Sequence, residues 1–163
     1  MTRKSTIEWN CSWARAAEVF GDKWSLLIIK NAFMGVRSFS GFAESLGISR
    51  NILSSRLEHL VTYGVLEKTP KDFMSKQSDY KLTGKGEDLI VMMIAIGQWG
   101  DKYHFDNHEI PIQIRDTQSG EEVSILEASS KDGRVLSATD ITFEPGPGAN
   151  EETRALLHSQ SQL

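Results

Sequence analysis

Between Gly47 and Gly64 the chain reads ISRNILSSRLEHLVTY, and this stretch limits the possible folds more than any other. Leu53, Leu57 and Leu60, with Val61 beside them, recur at helical spacing. On the opposite side Asn51, Ser55, Glu58 and Thr62 make a continuous polar stripe. The stretch is therefore a one-sided helix, capped at its start by Ser49 and closed by Gly64. Its first turns carry Ser49, Arg50, Asn51, Ser54 and Ser55, where helix stability would favour Glu and Lys, since Ser and Asn compete for backbone hydrogen bonds. A requirement other than helix stability selects them.

The flanking pattern supplies the context. One helix is expected from Cys11 or Ser12 to Phe20, stopped by Gly21. A second, capped by Asp22, runs to Phe33 with Trp24, Leu27, Ile28 and Ala32 on one stripe and Leu26, Ile29 and Phe33 on another, as a central helix requires. A short third helix starts at Ser38 or Ser40, buries Phe39, Phe42, Ala43 and Leu46, and ends at Gly47. After Gly64, Val65–Thr69 and Asp79–Leu82 read as two antiparallel strands joined by the polar turn PKDFMSKQS, which carries Lys71 and Lys76. Thr83 then caps a long helix with Glu87 and Asp88 in its first turn. From Leu89 to Ile96 that helix is apolar all round, with Trp99 one turn on, and such a helix needs a second body to cover it. A homodimer is the simplest one. Leu89, Met92, Met93, Ile96 and Trp99 would form its interface, with Trp9 and Trp13 adding apolar surface.

Short helix, glycine turn, polar-faced helix and basic-tipped hairpin follow each other in the order of a winged helix-turn-helix, whose second helix enters the DNA major groove. Small hydroxyls permit close approach, Asn51 has the geometry to pair with adenine, and Arg50 can contact guanine or phosphate. The competing reading is a solvated polar face on an ordinary bundle helix.

Charge is consistent with this division. The net −4 of the 163 residues conceals +2 up to His108, from 14 basic and 12 acidic residues, and −6 from Glu109 onward, from 4 and 10. Within Ser49–Lys85 basic residues lead 7 to 4. Beyond His108 the alternating segments IPIQIRD and EEVSILEA, the turns at Gln118–Gly120 and Lys131–Arg134, and the break Pro145-Gly-Pro-Gly148 suggest a small β extension, followed by a short helix capped by Asn150 and a frayed HSQSQL. The expected organisation is an arm over 1–10, a DNA-binding and dimerisation domain over 11–108 and an acidic extension over 109–163. The fold class is α+β, mainly helical.

The resemblance to a known family rests on motifs spread from Cys11 to Tyr103. They are Cys11 followed by GDKWSLLII from Gly21, Arg37-Ser-Phe39 with Phe42, LGISRNILSSRL from Leu46 with Leu60, Gly64-Val-Leu66, and Tyr80-Lys-Leu-Thr83 with Gly86, Leu89 and Trp99. Together they are similar to the HxlR-type bacterial winged-helix regulators. The resemblance implies a homodimer paired through its first and last helices on an inverted repeat of double-stranded DNA. It also implies a recognition helix at Ser49–Tyr63 and a wing at Val65–Leu82. Arg37, Arg50, Lys71 and Lys76 are then the phosphate contacts, with Ser49, Asn51, Ser54 and Ser55 positioning the helix or reading bases. Longer members resemble this chain in a C-terminal β extension ending near a Pro-Gly-Pro-Gly segment.

Cys11, the single cysteine, precludes an internal disulfide and makes the Asn10-Cys-Ser sequon irrelevant in a reducing compartment. At a helix start with Arg15 one turn on, it is a candidate sensor of oxidants, electrophiles or aldehydes, set against a small buried hydrophobe. His104 and His108 supply half a metal site and no further ligands stand at recognisable spacing, so neither metal nor cofactor is expected. Met92 and Met93 read as core or interface filler, and the prolines of PGPG remove the amide donors a phosphate cradle needs. No catalytic motif is present, and the expectation is a non-enzyme. The N-terminus lacks an apolar signal core and Leu89–Ile96 is too short for a membrane span, which points to the cytoplasm. The alternatives are a ligand-binding or protein-interaction module on a winged-helix scaffold and a small redox enzyme using Cys11.

Overall fold

A computed structural model describes residues 5–71, 77–106 and 109–160. Helix α1 spans Ser12–Phe20 and α2 Lys23–Phe33. Gly21 separates them because a Cβ there would lie 2.4 Å from the Ala17 carbonyl oxygen. Asp22 caps α2 by accepting hydrogen bonds from the Trp24 and Ser25 amides, at 3.0 and 3.1 Å. Helix α3, Phe39–Leu46, begins at Ser38, whose hydroxyl accepts from the Gly41 amide, and ends at Gly47 with φ +59° in the left-handed region. Ser49 caps α4, Arg50–Thr62, after this tight turn.

Strands β1, Leu66–Pro70, and β2, Ser78–Leu82, pair antiparallel with Leu66 opposite Leu82 and Lys68 opposite Tyr80. They start one residue away from the expected limits. Val65 instead closes the α4 end, donating to Leu60 and accepting from the Thr83 amide. The wing is stitched to the loop before α3 by the Tyr80 amide donating to the Arg37 carbonyl at 2.8 Å and by a bridge between Ser38 and Asp79.

A single core lies between these elements. Ile28, Ile29, Ala32, Phe42, Leu53, Leu57 and Leu60 are wholly buried, and α2 packs against α1, α3, α4 and β2. The central role expected for α2 holds, except that Leu27 faces outward. Inside, Asn31 donates to the Ser45 hydroxyl at 2.8 Å and the Ser25 hydroxyl donates to Asp22 at 2.5 Å. These bonds satisfy the polar groups that the leucine and isoleucine shell would otherwise strand.

The expected long helix after Thr83 is divided. Helix α5 covers Gly84–Glu87 and α6 Ile90–His104, with the Leu89 amide bonding back three residues to Gly86. Gly86, just before the break, is seated so closely on the residue preceding β1 that a Cβ would come within 2.2 Å of the Val65 carbonyl oxygen. Helix α6 has no buried residue, although Ile90, Val91, Ile96, Trp99 and Tyr103 all lie on it.

The extension differs from a β sheet. Isolated antiparallel bridges join Arg115 to Glu122 and Ser129 to Val135, each around a glycine turn, and among the described residues no strand forms there. The alternation of IPIQIRD and EEVSILEA is realised as an extended strap. It is held at Gln98, whose side chain donates to the Ser124 carbonyl and accepts from the Leu126 amide, and at Asn10, which bonds the Gly148 carbonyl and the Asn150 amide. A last helix α7, Glu151–Gln160, starts at Asn150 as expected and continues through the HSQ expected to fray.

Candidate nucleic-acid interface

Helix α4 presents two faces of opposite character. Leu53, Leu57 and Leu60 are wholly buried, whereas Arg50, Asn51, Ser54, Ser55, Glu58 and Thr62 are exposed. The side chains of Arg50, Asn51, Ser54 and Ser55 form no hydrogen bond or ion pair with another described residue. Their donors and acceptors are free for an external partner. Ser49 sits at the helix start with its oxygen 3.5 Å from the Ile52 amide, which leaves its own hydroxyl proton available.

The helix is held rigidly from behind. His59 Nε2 lies 3.0 Å from the carbonyl oxygens of both Glu18 and Val19. Two acceptors require this nitrogen to carry the proton. Arg56 reaches Asp22 at 3.4 Å, and Lys85 donates to the Tyr63 carbonyl at the α4 end at 2.7 Å. Burial works against the Asp22 charge, but the Ser25 hydroxyl and amide, Arg56 and the Trp24 amide outweigh it and hold the carboxyl below its ordinary value. Two of the basic residues counted over Ser49–Lys85 thus brace the head.

The other expected contacts divide. Lys71 is exposed where β1 ends, with its amide bonded to the Gln77 carbonyl. Lys76 lies outside the described residues. Arg37 is half-buried, and its guanidinium donates through one nitrogen to the Ala32 and Val36 carbonyls. The sequence reading left out Ile52, which is 43% exposed among the polar residues, and Lys68 and Lys81, exposed on the wing. Strand register was the available signal for the lysines: Lys68 lies opposite the buried Tyr80, and its ammonium sits 5.9 Å over that ring.

Cys11 is half-buried as the residue preceding α1. Arg15 is turned back to donate to the Trp9 carbonyl at 2.7 Å. A cavity of about 720 Å³ opens beside Cys11, walled by Trp13, Phe143, Leu156 and Leu157, with Trp13 and Phe143 edge to face at 5.7 Å. His104 packs its ring on Trp99 and His108 lies outside the described residues; among the described residues no three His, Cys, Asp or Glu side chains gather as a metal site. Among them no helix is long and apolar enough to cross a membrane.

Three core helices, a two-stranded wing and a polar helix face projecting from a buried leucine row define a winged helix-turn-helix protein. The chain belongs to the HxlR-like helix-turn-helix family, whose model matches residues 19–108. The uncharacterised HTH-type transcriptional regulator Rv3095 of Mycobacterium tuberculosis is 39% identical over 134 residues, covering 82% of this chain and 85% of that protein. The crystal structure of PA1607, presented as a candidate transcription factor, superposes with a TM-score of 0.80 at 37% identity over 86% of this chain and 99% of that one. A second such structure, PA1374 from Pseudomonas aeruginosa, gives 0.62 at 37% identity over 90% and 100%. These relatives are described as an HTH-type transcriptional regulator and as candidate transcription factors.

Proposed function

We propose that this chain is a cytoplasmic repressor that binds an inverted-repeat operator as a homodimer. Residues 11–108 are its DNA-binding and dimerisation domain, between an arm at 1–10 and the extension at 109–163. The observation that carries this reading is the exposed, unbonded start of α4 above a buried leucine row. A face of that kind can exchange water for base edges without breaking any internal bond.

Asn51 pairs with adenine, and Arg50 with guanine or phosphate. Ser49, Ser54 and Ser55 donate to the backbone, and Ile52 meets a thymine methyl. Lys71, with Lys68 and Lys81, follows the flanking phosphates. Repression follows from geometry, since a dimer seated over a promoter excludes polymerase. The apolar surface of α6 supports pairing, because a helix with Ile90, Val91, Ile96 and Trp99 outward is poorly suited to water.

The cavity beside Cys11 supports control by a small apolar effector or by thiol oxidation. Its volume is that of an ordinary small-molecule site. With a single cysteine per chain, any disulfide joins two subunits or captures a small thiol.

The test is to sequence genomic fragments retained by the purified full chain and to titrate the enriched site. A two-fold symmetric site bound at least a thousandfold more tightly than random DNA is expected. Retention without any common sequence would refute the regulator reading in favour of an interaction module.

A further inference from the structure

The chain exposes 12705 Å² for a mass of 18.2 kDa. A compact monomer of that mass exposes about 8,100 Å². The difference, about 4,600 Å² per chain, is more than scattered surface side chains account for; covering half of it on each of two chains would bury about 4,600 Å² in total, within the range of obligate homodimers. Its location is specific. Among the described residues of 109–159 none is buried, and none is buried on α6.

The strap is fastened by polar groups and keeps its apolar side chains outward. Gln98 and Asn10 hold its backbone, while Ile125 is 71% and Val135 52% exposed. A segment of this length with only half-buried side chains gains little burial to offset the entropy of its own ordering, and a second surface laid over it would supply the rest.

We infer that the extension is the arm through which two copies of this chain join, the strap and α6 of one packing on those of the other in one shared core. The inference rests on the homodimer reading above and names the surface that the dimer uses. A second copy fits for two reasons. Half of the uncovered area on each chain already suffices for a permanent self-association, and Gln98 ties the strap to α6, so one two-fold axis can bury both. The extension is then a structural requirement for reading two half-sites, without itself touching DNA.

Sedimentation velocity of the full chain, from nanomolar to micromolar, tests this together with hydrogen exchange. The wild type should be dimeric at micromolar concentration. Ile125→Asp and Val135→Asp should each weaken the dimer at least about a hundredfold, because two-fold symmetry removes each side chain twice from the shared core. Helix content should persist, since both residues are exposed within the single chain. If either variant fails to fold, the wild type still decides: amides of 123–143 should exchange more slowly in the dimer than on dilution to monomer. Dimers of wild-type strength in both variants, with unprotected strap amides and dissociation only in Ile96→Asp, would overturn the arm while keeping a dimer through α6. A wild-type chain monomeric at ten micromolar would overturn both.

Discussion

Asn51 and Lys71 should separate sequence reading from charge. Among the described residues, each copy exposes four cations on the α4 start and the wing, Arg50, Lys68, Lys71 and Lys81. A dimer placing all of them on phosphates would show a slope of log affinity against log salt of about −7, a loss of about 10⁴-fold between 50 and 200 mM salt. Lys71→Ala removes two of these contacts, so the slope should flatten by about 1.8, with operator and random DNA weakened by the same factor. Asn51→Ala removes an uncharged pair of bonds at each half-site, about 1–3 kcal/mol apiece. Operator affinity should fall at least about 30-fold while random DNA and the slope stay unchanged. Fluorescence anisotropy with operator and scrambled duplexes at five salt concentrations measures both quantities. An equal loss of both duplexes in Asn51→Ala, or an operator-only loss in Lys71→Ala, would refute the assignment of roles.

Asp22→Ala should cost about 1–2 kcal/mol through the lost α2 cap and the stranded Arg56, lowering Tm by several degrees in a thermal scan. The Asp22 carboxyl is held below the ordinary carboxylate value, so its stabilisation is present above that value and disappears as pH falls through the lower folded one; Asp22→Asn, followed by urea unfolding from pH 7 to 2, should lose this acid-dependent component. Gly86→Ala forces a Cβ to within 2.2 Å of the Val65 carbonyl oxygen, and an unchanged urea midpoint, instead of a loss of about 2 kcal/mol, would contradict the close seating of α5. Diamide should reduce the operator affinity of the wild type at least about tenfold and leave Cys11→Ser unchanged; the same response in both would exclude thiol control.

Local chemistry carried the head of the molecule into the sequence. Asp22, Ser38, Ser49 and Thr83 cap the helices expected of them, and Gly47 and Gly64 adopt the positive φ at which the helices before them end. Each of those signals acts within four residues. What was not legible depends on partners remote in sequence. Nothing local announces that Arg56 meets Asp22. Nor does any local signal announce that Gly86 lies against the Val65 carbonyl, more than twenty residues earlier, where a Cβ would not fit. The alternation after Glu109 is compatible equally with a strand and with a strap fastened by Gln98 and Asn10, and no local feature separates the two.

The stitch between the Arg37 carbonyl and the Tyr80 amide has a consequence for control. It welds the hairpin to the loop ahead of α3, while His59 and Lys85 pin the C-terminal end of α4, so wing and helix are fastened to one core. If two such heads pair, any change in their spacing has to arise outside them, and the turn at Asp88 and Leu89, between α5 and α6, is where each head meets its last long helix.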